Sequence, residues 1–404
     1  MPSPSQPLTA RERARKSKPI HTATPSSVRD VNRSIILNLV RLHQPISRVD
    51  LSNRTGIFRS SVSAIVDDLV RDRLLIEERA IPKGRGRVPV NLYLNPGGFS
   101  VLAVSIRAFH TKVAAAGLTG EIQSTVSFPT PQDPAQLVKE VARAVKRLRS
   151  ESEYEWQQAG ISVPGMVNRN TGEILMVPSL PHYAGFPIAP EISELVGADA
   201  TAENDTNAGA LAELWFHENE VAGIRDLVFV EVGEIGVGAG LIIQGELYGG
   251  HDNTWVGEFG HMIVHPSGPP CNCGRRGCWE LYTCDRATWQ RYDANTEFST
   301  ERFDELIELA RRGDARAVKA FRATAEYLSL GISNIVFGLN PSRVVVAGEI
   351  TKLWGLIQHT VESTWSAGRV QLHLYPARFV PEVLSLQGAV VLALQRAFAG
   401  PKLG

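Results

Sequence analysis

The stretch from Gly257 to Glu280 reads GEFGHMIVHPSGPPCNCGRRGCWE, and it constrains the fold more than any other part of the chain. Three of the four cysteines, Cys271, Cys273 and Cys278, fall within eight residues among the glycines and prolines of turns. His261 lies ten residues before the first of them. Thiolate is a strong ligand for a borderline-soft cation, and three thiolates with one imidazole form a closed tetrahedral set that suits zinc. Buried cysteines packing as small apolar groups have no reason to cluster in this way. Four protein ligands leave no open position for an activated water, so a structural zinc held by His261, Cys271, Cys273 and Cys278 is expected. Cys284 is expected to be an ordinary buried thiol. Glu258 and Glu280 flank the ligands, and the metal would pin both carboxylates.

At 404 residues the chain exceeds one ordinary core. With 43% hydrophobic and 21% charged residues it reads as globular rather than disordered or membrane-embedded. The start, MPSPSQPLTARERARKSK, has no apolar segment of the kind a secretory signal needs. No apolar run approaches the ~18 residues of a spanning helix. Together with metal-type cysteine spacing, this predicts a cytoplasmic protein without membrane partners.

A net charge of zero hides an asymmetry. Residues 1–95 carry 17 Lys+Arg against 8 Asp+Glu, and the remainder carries 25 against 34. Cationic regions attract phosphate backbones through counterion release, which directs attention to the N-terminal part as a nucleic-acid module. Residues 1–27 read as a disordered basic tail. From Val28 a helical period sets in, with Val31, Ile35, Leu39 and Leu42 on one stripe and Ile36 and Val40 beside it. Pro45 ends that helix. Ser47 is placed as an N-cap with Asp50 at the third helical position, and Ile46 and Leu51 are spaced as a hydrophobic staple. The second helix stops at Thr55-Gly56. A third follows with Val62, Ile65, Val66, Leu69 and Val70 on one face. This is the plan of a helix-turn-helix, whose recognition helix would present Arg59, Ser60, Ser61 and Ser63 to DNA. Strands at 74–77 and 90–94 would flank a wing, AIPKGRGRVP, that carries Lys83, Arg85 and Arg87 toward the duplex. The winged helix-turn-helix is thus expected over 28–95.

After Asn95-Pro96-Gly97-Gly98 the chain alternates strand-like and helix-like segments, as an α/β fold does. Strands are expected at 101–106, 111–117, 160–163, 227–232, 239–243 and 343–346. Helices are expected at 135–150, 207–217, 300–312 and 315–339. Two lobes around a cleft are the expected arrangement of residues 99–404.

These pieces together carry a family resemblance. GRGRVPVNLYLNP after the third helix, VPGMV at Val163–Val167, AENDTNAGALAELWF at Ala202–Phe216, GEIGVGAG at Gly233–Gly240, the metal block, and LNPSRVVVAG at Leu339–Gly348 resemble the ROK family. The match is to its transcriptional regulators of the xylose- and N-acetylglucosamine-repressor type. That resemblance implies an actin-like, sugar-kinase-type fold with a hexose cleft. In family enzymes the aspartate matching Asp205 is the catalytic base. Asn204 and the counterparts of Glu258, His261 and Glu280 contact other sugar hydroxyls. Carboxylates suit this task, since they accept hydrogen bonds from vicinal hydroxyls.

Active family kinases carry a DxGGT-type turn after the first strand. Here the stretch is VSIRAFHTK, with Ser105 in place of the aspartate and Arg107 and Ala108 in the glycine-rich turn. Glu234 replaces a small hydroxyl residue in the second phosphate segment, and Ala347-Gly348-Glu349 lacks one glycine of a nucleotide-side pair. The sugar loop has Ser179-Leu180-Pro181-His182-Tyr183 where the family often has Asn-Leu-x-Gly-Trp, so His182 and Tyr183 are candidates for a different specificity surface. The resulting expectation is a sugar-responsive repressor of carbohydrate-metabolism genes, without enzymatic activity. It would bind an operator as a homodimer or higher oligomer. The alternative is an ATP-dependent hexose kinase that retains a DNA-binding domain.

Overall fold

Ser47 opens a helix by the reciprocal exchange its sequence predicts: its side chain accepts from the Asp50 amide, and the Asp50 carboxylate accepts from the Ser47 amide. Such a capping box stabilises a short helix by about 1 kcal/mol. The computed structural model describes residues 25–79, 90–151, 156–217, 225–251, 256–366 and 373–399. These fall into two units, one running up to Leu94 and taking in Phe398 onward, the other Asn95–Ala397.

The first unit runs α1 (Pro25–His43), β1 (Ile46–Ser47), α2 (Arg48–Thr55), α3 (Arg59–Arg71), β2 (Leu75–Arg79) and β3 (Val90–Leu94). That is the element order expected of a winged helix-turn-helix. Gly56 ends α2 in the left-handed conformation, returning its amide to the Ser52 carbonyl. The three strands pair antiparallel in the order β1-β3-β2, with Ile46 opposite Leu92 and Leu75 opposite Leu94. Val62, Ile65, Val66 and Leu69 of α3 pack inward as the periodicity predicts. α1 departs from expectation in two ways. It begins at Pro25, inside the stretch read as a disordered tail, and it buries Ile36, Leu37 and Val40, while Ile35 is 42% exposed. Two overlapping apolar stripes run along this helix, and packing against α3 and β3 selects between them. Residues 80–89, with Lys83, Arg85 and Arg87, lie outside the described residues.

The second unit begins with β4 (Ser100–Ile106), β5 (His110–Gly117), β6 (Ile122–Pro129), α4 (Pro134–Glu151), β7 (Trp156–Val163), β8 (Met166–Asn168), β9 (Glu173–Met176), α5 (Ile188–Val196) and β10 (Asp199–Asn204). It continues through α6 (Asp205–His217), β11 (Leu227–Val232), β12 (Val237–Ile243), β13 (Glu246–Leu247), α7 (Glu280–Thr283), α8 (Asp285–Tyr292), α9 (Thr300–Arg311) and α10 (Ala315–Leu339). It ends with β14 (Arg343–Gly348), α11 (Trp354–Ser366), β15 (His373–Pro376) and α12 (Pro381–Phe398). The strands form two five-stranded sheets, β10-β7-β4-β5-β6 and β13-β12-β11-β14-β15. Each contains an antiparallel three-strand meander whose first strand also pairs parallel with the next strand of its sheet. The two sheets therefore share one plan, and each builds a lobe.

Strand composition follows from which faces are covered. β4 is buried at every position because helices and sheet neighbours leave it no wet face, whereas β6 alternates and lies at a sheet edge. In β11, Val228, Val230 and Val232 enter a core with α9 and α10, while Leu227 and Phe229 pack with α6 and α12. No helix among the described residues is long and apolar enough to cross a membrane.

Candidate functional site

The metal block folds as two short excursions held by backbone pairing. Ile263 bridges Cys278 and Pro270 bridges Arg276, while the Val264 amide donates to the Gly277 carbonyl and the Trp279 amide to that of Met262. Trp279 is completely buried and its indole donates to the Tyr327 carbonyl at 2.7 Å, anchoring the block to α10. The ligand atoms of His261, Cys271, Cys273 and Cys278 come within 4.8 Å of one another. Cys271 Sγ lies 3.6 Å from His261 Nδ1, and Cys273 Sγ lies 3.6 Å from Cys278 Sγ. A tetrahedron of zinc–sulfur bonds has sulfur–sulfur edges of about 3.7 Å, so the donor set fits the ion its chemistry suggests. Cys284 is buried and outside this group.

Two carboxylates border the cluster. Glu280 Oε1 lies 3.2 Å from His261 Nδ1 and 3.0 Å from Cys271 Sγ. Glu258 Oε2 lies 3.8 Å from His261 Nε2, on the imidazole's other side. The imidazole thus offers Nδ1 to the thiol cluster and turns Nε2 toward Glu258. Gly257 makes the approach possible: its φ is +89°, and a Cβ there would meet the Ala239 carbonyl at 1.9 Å.

Glu258 also lines a cleft, together with Arg169, Glu203, Asn204, Asn207 and Gly238. The β8–β9 hairpin, the β10–α6 junction, β12 and the segment after Gly257 form its walls. Asn204 caps α6, its Oδ1 accepting from the amides of Thr206 at 3.0 Å and Asn207 at 3.1 Å. Its Nδ2 donates to the Gly165 carbonyl at 3.0 Å, tying the VPGMV turn to the helix start. Glu203 is 2% exposed and is held by the Arg169 guanidinium, by Asn207 Nδ2 at 3.0 Å and by the Asn204 amide at 2.9 Å. Burial raises its carboxyl above the ordinary range, and Arg169 opposes that rise.

Asp205 is the first residue of α6, with Oδ1 accepting from the Thr206 amide at 2.9 Å. Burial lifts its carboxyl above the usual range, with Arg107 the strongest opposing influence. Glu231, which sequence reasoning passed over, joins it. Burial and then the Asp205 charge push the Glu231 carboxyl up to about 7, again against Arg107. The available signal was a single acidic residue inside the apolar run LVFVEV. Of the residues expected to meet sugar, Asn204 and Glu258 therefore line the cleft, Asp205 adjoins it through Asn204, and His261 and Glu280 stand behind Glu258.

The segments expected to handle phosphate are acidic or closed. Ser105 is 2% exposed and bonds Ser385 Oγ at 2.8 Å, and Ser162 bonds the same hydroxyl at 2.8 Å. It is sealed between β4, β7 and α12. The loop carrying Glu234 sits over the start of α8, its carbonyl accepting from the Arg286 amide at 3.0 Å. Asp285 at that helix start is 5% exposed, and burial, followed by Glu349, Glu234 and Glu231, raises its carboxyl well above the ordinary value. Lys352, which pairs with Glu349 and Asp304, is the opposing cation. In the sugar loop His182 is exposed, but Tyr183 is fully buried and donates to the Pro131 carbonyl at 2.7 Å. Tyr183 is a core residue of the first lobe and not part of a specificity surface. In the first unit, Arg59, Ser60 and Ser61 are exposed at the start of α3, and Ser63 is half-buried.

Comparison with known proteins agrees with this architecture. The ROK family model matches residues 101–396. The xylose repressor of Bacillus spizizenii is 27% identical over 345 residues, covering 84% of this chain and 88% of that protein. The glucokinase of Streptomyces coelicolor is 29% identical over 282 residues, covering 65% of this chain and 87% of that protein. A solved ROK family transcriptional regulator, a homologue of the E. coli MLC protein, superposes with a TM-score of 0.80 at 24% identity, covering 93% of this chain and 98% of its own.

Proposed function

Because the chain belongs to the ROK family, we propose that it is a sugar-responsive DNA-binding repressor of carbohydrate-metabolism genes, with the cleft as effector sensor. The observation that carries this reading is the first unit itself: three helices and a hairpin ahead of the family domain, with the polar start of α3 left outside its core. The repressor relative aligns over a larger share of the chain than the kinase relative does, in keeping with that extra unit. Arg59, Ser60, Ser61 and Ser63 would contact operator DNA, and Lys83, Arg85 and Arg87 would extend the contact through a wing. Two copies of the recognition helix would read half-sites about one DNA turn apart, so a homodimer or higher oligomer is the working form.

On the sensor side, Asn204, Asp205, Glu258, His261 and Glu280 would bind the hydroxyls of a sugar or sugar derivative. His261, Cys271, Cys273 and Cys278 would hold a zinc ion whose role is to fix the segment bearing Glu258 and Glu280. A ligand that binds one arrangement of the lobes more tightly than another shifts the population, and this difference is what would reach the DNA-binding unit.

Catalysis is not part of this reading. Glu349, Glu234 and Glu231 all act on the buried Asp285 where the phosphate segments converge, and an acidic cluster of this kind is a poor seat for an anionic nucleotide. The kinase alternative rests on Asp205, which matches the catalytic base of the family's enzymes. Titration of a random-sequence DNA pool across salt concentrations tests the main reading: recovery of a preferred sequence, released or tightened by a sugar, is expected. Binding without sequence preference, accompanied by robust ADP release with a hexose, would replace it with the kinase.

A further inference from the structure

Phe58 has the most exposed of the large apolar side chains among the described residues, at 83%. It occupies the N-cap position of α3, with extended backbone (φ −55°, ψ 140°) and no capping hydrogen bond. Ser, Thr, Asp or Asn at this position would accept from an amide of the first helical turn; Phe cannot. The ring therefore buries nothing and caps nothing, so the folded unit gives no account of it. Its surroundings say what would. Arg59 beside it is exposed and has no acidic partner among the described residues. Four other arginines of the same unit are paired: Arg29 and Arg71 with Asp68, Arg33 with Asp72, and Arg48 with Asp67 and Glu77. Ser60 and Ser61 are exposed next to the positive end of the helix. One ring, one cation without an acidic partner among the described residues and two hydroxyls are thus exposed side by side at the start of α3.

That combination matches the major groove of duplex DNA. Phosphates take the cation and the amides, base edges take the hydroxyls, and the apolar feature displayed along the groove floor is the 5-methyl group of thymine. We propose that Phe58 is a specificity-determining residue that packs on a thymine methyl in each half-site. The assignment rests on the first unit being a DNA-binding module, and it adds the chemical group that the unit selects.

The test uses the full-length protein and the duplex it recovers from a random-sequence pool. Each thymine is replaced in turn by deoxyuridine, which removes the methyl and leaves base pairing intact. One such replacement should weaken wild-type binding about fourfold, the worth of one buried methyl. Phe58→Ala should bind the thymine duplex with a comparable loss and be indifferent to that same replacement. Phe58→Ser supplies the missing cap, so it should match or exceed wild-type thermal stability and still show the loss, which separates readout from folding. Wild-type binding unaffected by any uridine, or a Phe58→Ala defect equally deepened by uridine, overturns the assignment and leaves the regulator reading standing. A pool that yields no preferred sequence overturns both.

Discussion

Nδ1 of His261 lies 3.6 Å from Cys271 Sγ, with the imidazole's opposite nitrogen directed toward Glu258. One ring therefore joins the thiol cluster to the wall of the cleft. A metal bound on one side orients a carboxylate on the other, because a ligated imidazole has lost its rotational freedom.

Zinc content and thermal stability should move together through this ring. Cys273→Ser is expected to lose the metal and lower the unfolding temperature by several degrees, since a structural site contributes its binding free energy to folding. Sugar affinity should fall as well, because the segment bearing Glu258 and Glu280 loosens. Elemental analysis with a thermal-shift titration measures both, and unchanged sugar affinity in the zinc-free variant would break the link.

Asp205 offers a separate handle on the sensor. Asp205→Asn keeps the shape at the start of α6 but removes the anion, so the stabilisation by the effector sugar should drop at least tenfold in apparent affinity, about 1.4 kcal/mol. Operator binding without sugar should persist. Equal sugar binding by variant and wild type in calorimetry would remove Asp205 from the site.

Glu231 predicts a pH dependence. Its carboxyl is lifted from 4.5 to about 7 in the fold, so the folded state holds the proton more tightly than the unfolded chain. The associated stability is fully present below the ordinary value and is lost as pH rises toward 7. Glu231→Gln keeps the size and removes the titration. It should lessen that decline and leave the variant about 1–2 kcal/mol more stable than wild type at pH 8, after allowance for its coupling to Asp205. Urea midpoints at pH 5 and pH 8 decide this; parallel declines in both proteins would assign the effect elsewhere.

The cationic residues of the DNA-binding unit should separate by salt dependence. Arg59→Ala is expected to weaken operator binding and reduce the slope of log affinity against log salt by about 1, and the Arg85→Ala, Arg87→Ala pair by about 2. Ligand-induced thermal shifts should not change in either variant. Slopes identical to wild type in a band-shift series would remove these side chains from the phosphate contacts.

Much of this molecule is written in short stretches of chain. The Ser47–Asp50 capping box, the stop at Gly56, the inward face of α3 and the His261–Cys278 donor set all depend on residues within about twenty positions of one another, where cap chemistry, turn geometry and helical period act directly. The tertiary structure decided what depends on pairing across larger distances. Which stripe of α1 is buried was settled by its packing partners, and the shared plan of the two sheets by parallel pairings such as β11 with β14, 116 residues apart at Leu227 and Arg343. Packing of helices on the sheets likewise sealed Ser105 of β4 against Ser385 of α12 and brought Asp205 of α6 within electrostatic reach of Glu231 of β11. A carboxylate's role depends on which other charges share its low-dielectric surroundings, and local sequence holds no record of neighbours that arrive from another element of the fold.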